Sequence, residues 1–193
     1  MDRGAGSRRY LELERKGGGP LYVNPAAAGT RAFLYRIPHG HAGIEATVRH
    51  MQRLRRAATS DPYVRDAAQR ITAGRHGWEA AHRIRRFLAD RVPFEFDPWG
   101  VELVRTPAYM LHAIADTGAS PGDCDDAALL GASLAIAAGL PARYVLVGLT
   151  PGEPFEHIYA EILTDRGPVE LDTTRPAQFP PGLAIHRTAH REA

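Results

Sequence analysis

The sequence predicts an α+β domain in which helices come first and an antiparallel sheet comes last. Apolar residues recur at helical spacing through 43–90 and again through 107–138, and after Pro141 the pattern changes to strand-like alternation. Between the two regimes lies Gly122-Asp123-Cys124-Asp125-Asp126, where a turn gives way to an apolar helix that carries the chain's single cysteine. At 193 residues the chain can bury one real core and is short for two.

Residues 1–30 read as a flexible lead-in, with Gly17-Gly18-Gly19-Pro20 breaking any regular element. Short extended pieces are predicted at 10–13, 21–23 and 33–37. The first helix starts near Gly43, with Ile44, Val48, Met51 and Leu54 on one side and Arg49, Arg53 and Arg56 on the other. Asp61-Pro62 is an N-cap followed by a first-turn proline, and Gly74 ends that second helix. A third helix runs from Gly77 to about Asp90, with Trp78, Ala81, Ile84, Phe87 and Leu88 facing inward. Residues 92–96 are extended, and Asp97-Pro98-Trp99-Gly100 is a turn. Thr106-Pro107 starts a fourth helix that Gly118 stops.

In the fifth helix Asp123 is the N-cap, Gly139 and Pro141 close the far end, and the small residues between allow packing on several sides. It should be the most buried helix. Strands follow at 142–149, 155–163 and 169–171, joined by turn-rich loops. In the second of these, Ile158, Ala160 and Ile162 share one face, and His157, Tyr159 and Glu161 the other.

One cysteine excludes an internal disulfide framework, and no apolar run is long enough to cross a membrane. The opening Met1-Asp2-Arg3-Gly4 lacks the layout of a signal peptide, so a soluble protein, cytoplasmic as synthesised, is expected. Arginines crowd the segment 49–91. No aromatic residues interleave them in a nucleic-acid-binding pattern, so the face reads as the solvated side of amphipathic helices, and no nucleic-acid partner is expected.

Three residues offer nucleophilic chemistry. Cys124 opens a helix, where unpaired N–H groups and the helix dipole favour a thiolate. His157 lies on the polar side of a strand and suits a base. Asp172 follows the next strand, where antiparallel pairing can bring it beside His157 and let it orient the ring. The plain alternative is an inert buried cysteine, a strand histidine bonded to a neighbour and a turn aspartate. Asp123, Asp125 and Asp126 read as caps and dipole partners, with no metal or other cofactor expected. The charge of Asp125 and Asp126 opposes a thiolate unless those two carboxylates point away or pair with arginine. His186 and His190 have helical spacing in a polar tail and read as incidental.

Four blocks in order, Gly122-Asp123-Cys124-Asp125-Asp126, Gly139-Leu140-Pro141-Ala142-Arg143, Phe155-Glu156-His157-Ile158-Tyr159 and Leu171-Asp172-Thr173-Thr174, together resemble the transglutaminase-like superfamily. The resemblance covers 92–180 and implies a papain-like fold with Cys124, His157 and Asp172 as its triad. Thr173 stands where that family usually has proline. A remote oxyanion donor is not evident, and Trp99 is the candidate by its indole N–H. The segment 94–104 with Asp97-Pro98 and Gly100-Val101-Glu102 is similar to the bacteriophage and prophage branch.

The implied organisation is a lead-in over 1–30, an arginine-rich helical subregion over 31–91, a catalytic core over 92–180 and a polar tail over 181–193. The implied function is a cysteine peptidase or amidase that cleaves a peptide or protein amide through a thioacyl intermediate. One alternative is a non-catalytic virion or assembly protein that binds phage structural proteins and is virion-associated. Another is a protein-glutamine acyltransferase.

Overall fold

The computed structural model describes residues 21–24, 33–36, 40–98, 101–179 and 183–193. The extended piece expected at 10–13, and Trp99, lie outside these residues. Three helices come first: α1 (His41–Ser60), α2 (Pro62–Thr72) and α3 (Gly77–Arg91). Asp61 begins α2 as expected, its side chain accepting from the Tyr63 N–H at 2.8 Å ahead of Pro62. Helix α4 (Pro107–Thr117) is capped by Thr106 and ends at Gly118, whose φ of 90° a side chain would resist.

Helix α5 (Cys124–Ala137) is the centre of the fold. Every residue from position 125 to 135 is buried, because alanine, glycine and leucine let neighbouring elements approach on all sides. Helices α1, α2, α3 and α4 all pack against it, as does one face of the sheet. Gly131 shows how close that approach is: a Cβ there would come within 2.9 Å of both Leu88 and Leu171.

The sheet is built from β4 (Ala142–Gly148), β5 (His157–Thr164), β6 (Gly167–Glu170) and β7 (Arg187–Glu192) in the order β6-β5-β4-β7, antiparallel throughout. The α+β expectation therefore holds, with five long helices against a four-stranded antiparallel sheet. Ile158, Ala160 and Ile162 face the main core with α5, and Tyr159 joins Val145, Val147 and Leu149 in a small cluster on the other face, capped by Phe179. A short helix, α6 (Arg175–Gln178), follows Asp172. A separate small sheet, ordered β2-β1-β3, is formed by β1 (Leu21–Asn24), β2 (Phe33–Arg36) and β3 (Val101–Leu103).

Two expectations are corrected. Trp78 does not face inward but is 38% exposed, sitting beside His82 with the Arg166 guanidinium over its ring. Residues 187–192 form an edge strand paired with β4 from Arg143↔Glu192 to Gly148↔Arg187, so His190 lies on a strand and the helical spacing of His186 and His190 has no meaning. Residues 92–96, expected as a short extended piece, carry a single bridge, Phe94↔Gly122. Among the described residues no helix is long and apolar enough to cross a membrane.

Candidate active site

Residues 92–96 hold the loop that leads into α5. The Ser120 N–H donates to the Arg91 carbonyl at 2.9 Å, Gly122 N–H to Pro93 at 3.1 Å, and Glu95 N–H to Gly122 at 3.0 Å. Gly122 is needed for space rather than for its dihedral angles. A Cβ at that position would sit 2.7 Å from an Asp126 carboxylate oxygen. Asp123 then caps the helix, accepting from Asp125 N–H at 3.2 Å, and Cys124 becomes the first helical residue. Its thiol is half-buried at the edge of a cavity of about 410 Å³.

His157 opens β5, opposite Val147 of β4. The ladder between β5 and β6 pairs Glu161 with Glu170, and the Leu171 N–H extends it by donating to Ala160 at 2.9 Å. That register carries Asp172 alongside the start of β5. His157 Nε2 lies 3.0 Å from Asp172 Oδ2, with both side chains buried, and the other carboxylate oxygen accepts from the Arg175 N–H at 3.1 Å. A carboxylate can only accept, so the neutral ring carries its proton on Nε2 and presents Nδ1 as an acceptor. Phe179 meets the ring edge-on at a centroid distance of 5.5 Å, and Tyr159 flanks it at 6.2 Å. His157 and Cys124 line the same cavity. Nδ1 is buried and makes no hydrogen bond to Cys124 or to any other described residue.

The electrostatics around Cys124 differ from expectation. Burial raises its thiol well above the ordinary range, and the charges of Asp123, Glu102 and Asp172 add to that, against the Ile158 backbone N–H, which lowers it. The resting thiolate that the helix start suggested is therefore opposed, and the thiol form is favoured at neutral pH. Five carboxyl groups gather here: Asp97, Glu102, Asp123, Asp125 and Asp126. Arg105 answers one side of the group. Its guanidinium pairs with Asp126, its backbone N–H donates to the same carboxylate at 2.6 Å, and Asp97 is 4.0 Å away.

Even so, burial followed by the Asp123 charge pushes Asp97 up to about 8 and Asp126 up to about 7. Glu102 and Asp125 are also raised, again by burial first and Asp123 second. Asp126 thus meets the expectation of an arginine partner and Asp125 does not, for both its carboxyl oxygens are buried without one. Asp123, Asp125 and Asp126 place one oxygen each within 4.8 Å of the others and are the residues that could approach a metal ion.

The sequence reading missed Glu102, Arg105 and Gln178. Glu102 and Gln178 line the cavity, Gln178 with its amide oxygen buried and unpartnered, and Arg105 neutralises Asp126. Glu102 lies within the segment 94–104 quoted for the phage-like resemblance, and Arg105 directly follows it. That closeness was the one available signal.

No protein-family model matches the chain. No curated protein sequence matches it. Among solved structures it is similar to one from Parabacteroides distasonis whose assignment as a protease is provisional, at 16% identity and a TM-score of 0.52, over 72% of this chain and 27% of that one. A second, from Cytophaga hutchinsonii and provisionally a cysteine protease, is 20% identical over 65% of this chain and 41% of that one, with a TM-score of 0.43. The chain thus spans about a quarter to two-fifths of the length of these proteins. At such identity the likeness to the first shows that the two chains share a fold.

Proposed function

We propose that the chain is a transglutaminase-like cysteine peptidase or amidase, phage or prophage encoded, with Cys124 as nucleophile, His157 as base and Asp172 as the group that orients the histidine. The observation that carries this reading is the buried His157–Asp172 contact at 3.0 Å, with Nδ1 left unpaired on a ring that shares a cavity with Cys124. A histidine kept only for packing has no need of a buried carboxylate fixed by a second hydrogen bond. The order of the four sequence blocks and the fold shared with a provisional protease support the same reading.

In the mechanism, His157 Nδ1 accepts the thiol proton as Cys124 Sγ attacks the amide carbonyl carbon. Because the thiol is held up, proton transfer accompanies attack rather than preceding it in a resting ion pair. The oxyanion is met by the Cys124 backbone N–H, which has no intrahelical acceptor at the first position of α5. Nδ1–H then protonates the departing amine, leaving a thioester that water cleaves with His157 again as base. Asp172 holds Nε2–H throughout and stabilises the imidazolium while it lasts.

Cleavage of a casein-derived peptide pool, read by mass spectrometry, tests this. Products should form with the wild-type chain and fall by about 10³-fold or more with Cys124→Ala. Equal cleavage by both proteins rules the mechanism out. The non-catalytic reading is favoured by one observation, the raised thiol beside an unbonded Nδ1. It predicts no Cys124-dependent product and no thioester trapped as a mass adduct.

A further inference from the structure

The loop that carries the chain from β4 into His157 is held at both ends. At its inner end the Glu156 carboxylate accepts from the Leu149 N–H at 2.8 Å, the Thr150 N–H at 2.7 Å and the Thr150 hydroxyl at 2.8 Å. At its outer end the hold comes from β7. The Arg187 guanidinium donates to the Glu153 carbonyl and lies over the Phe155 ring, 4.4 Å from its centroid. Pro151, Gly152 and Glu153 are exposed, so burial does little to fix the tip of this loop.

Gly148 gives Arg187 its path. The two residues are paired across β4 and β7, so their side-chain positions share one face of the sheet. A Cβ on Gly148 would come within 2.7 Å of Arg187 Cγ and 2.8 Å of its Nε. The arginine stem thus crosses β4 at the one place in the pairing where a side chain is missing. Phe155 is what this reach secures. It lines the cavity with Cys124 and His157, stands two residues before His157, and meets His41 of α1 edge-on at 6.4 Å. An arginine kept only for solubility has no need of a glycine beneath it.

We propose that Arg187 is a positioning residue for the cysteine chemistry: reaching over Gly148, it fixes Phe155 and its loop as the rim past which a substrate approaches Cys124. The assignment rests on the peptidase reading for its effect on turnover but not for its effect on access to the thiol. His157 keeps its own support from Asp172. Loosening the rim therefore leaves the imidazole in place and weakens the seating of the substrate, a loss that falls on KM more than on kcat. Lysine is a poor replacement, because a compact ammonium cannot lie flat on Phe155 while it donates to Glu153.

Access is tested apart from turnover. Cys124 is the chain's only cysteine, and its alkylation is timed with iodoacetamide and with the bulkier N-phenylmaleimide. The ratio of the two rates cancels any change in the thiol itself. In Arg187→Met the maleimide rate relative to the iodoacetamide rate should rise by about threefold or more, and Gly148→Ala, which displaces the guanidinium, should do the same. Arg166→Met removes the arginine over the Trp78 ring, away from this cavity, and should leave the ratio unchanged. An unchanged ratio in Arg187→Met overturns the proposal, as does an equal rise in Arg166→Met.

The second arm reads kcat/KM on a casein-derived peptide that the wild-type chain cleaves. Arg187→Met and Gly148→Ala, the latter accepted only if it melts as the parent does, should each lower it by about tenfold, chiefly through KM. The double variant should lose no more than either alone, because both changes break the same contact. Arg187→Lys should recover only part of the loss. Additive losses, or a loss carried by kcat alone, overturn the assignment. A raised alkylation ratio without any Cys124-dependent cleavage overturns the peptidase reading alone.

Discussion

The two sides of the cavity are built in opposite ways. On the β5 side, His157 has a carboxylate on Nε2, that carboxylate has a backbone donor on its other oxygen, and two aromatic rings flank the imidazole. On the His157–Asp172 pair itself, only Nδ1 is left without a partner. On the α5 side, Cys124 opens a helix whose dipole should help a thiolate, yet its neighbours are carboxyl groups and burial that act against one. The imidazole is prearranged and the thiol is restrained. A helix start is worth only about 0.3–1 kcal/mol to a nearby anion, so burial and three carboxylates easily outweigh it.

The largest effect should come from disturbing the finished side. Asp172→Asn keeps the size of the group but presents an amide that can donate to Nε2, which favours the tautomer with its proton on Nδ1 and removes the acceptor that the proposed mechanism gives to the Cys124 thiol. The kcat should fall by about 10² to 10⁴ with little change in KM. A KM effect of the same size with unchanged kcat would place Asp172 outside the chemistry. Next comes the acidic side. Arg105→Met strips the fully buried Asp126 of its cation, and the midpoint of urea unfolding should drop by the equivalent of about 3 kcal/mol. A midpoint within error of wild type would mean that Asp126 takes up a proton at little cost.

The difference between the two sides also explains what could be read from the sequence. Helices α2 and α4 announce themselves through local signals, Asp61-Pro62 and Thr106-Pro107, and α5 through Asp123 and Gly139. The strand change after Pro141 is equally local. The His157–Asp172 approach needed only the two-residue period and a hairpin, so it too was within reach. Strand β7 was not, because an edge strand pairs through its backbone and asks little of its side chains, and the sequence Arg187-Thr188-Ala189-His190-Arg191-Glu192 carries no apolar alternation. Trp78 was misplaced because helical period alone cannot tell an inward tryptophan from one packed on the surface under Arg166. The acidic group was hidden for a third reason: Asp97, Glu102 and Arg105 meet Asp126 only through tertiary folding, across 21 residues in the case of Arg105.

A smaller effect sharpens the restraint on Cys124. Asp123→Asn keeps a good helix cap while removing the charge that ranks second only to burial in raising the thiol. Alkylation by iodoacetamide, a neutral reagent, should speed up by about three- to tenfold at pH 7.5, with its pH midpoint shifted down. An unchanged profile would leave burial as the whole cause of the restraint and acquit the carboxylates.

The smallest effect concerns the proton balance of the acidic group as a whole. Burial and the Asp123 charge push Asp97 up to about 8 and Asp126 up to about 7, well above the ordinary carboxylate range. Between the unfolded and folded values the native chain holds protons that the unfolded chain has released. Stability is therefore fully present below the unfolded values and is lost as pH rises through the folded ones. Lowering the pH from 8.5 to 7 should raise Tm by about 5 °C, in a range above the ordinary titration of histidine.

Asp97→Asn tests the origin of that slope, because an asparagine oxygen can still accept from the Leu103 N–H that Asp97 now holds. The variant should melt higher than the parent at pH 8.5 and lose much of its dependence on pH. A Tm that falls on going from pH 8.5 to 7 would mean that these carboxyl groups are ionised and well paired in the native chain. In that case the α5 side would be as complete as the β5 side, and the contrast between them would disappear.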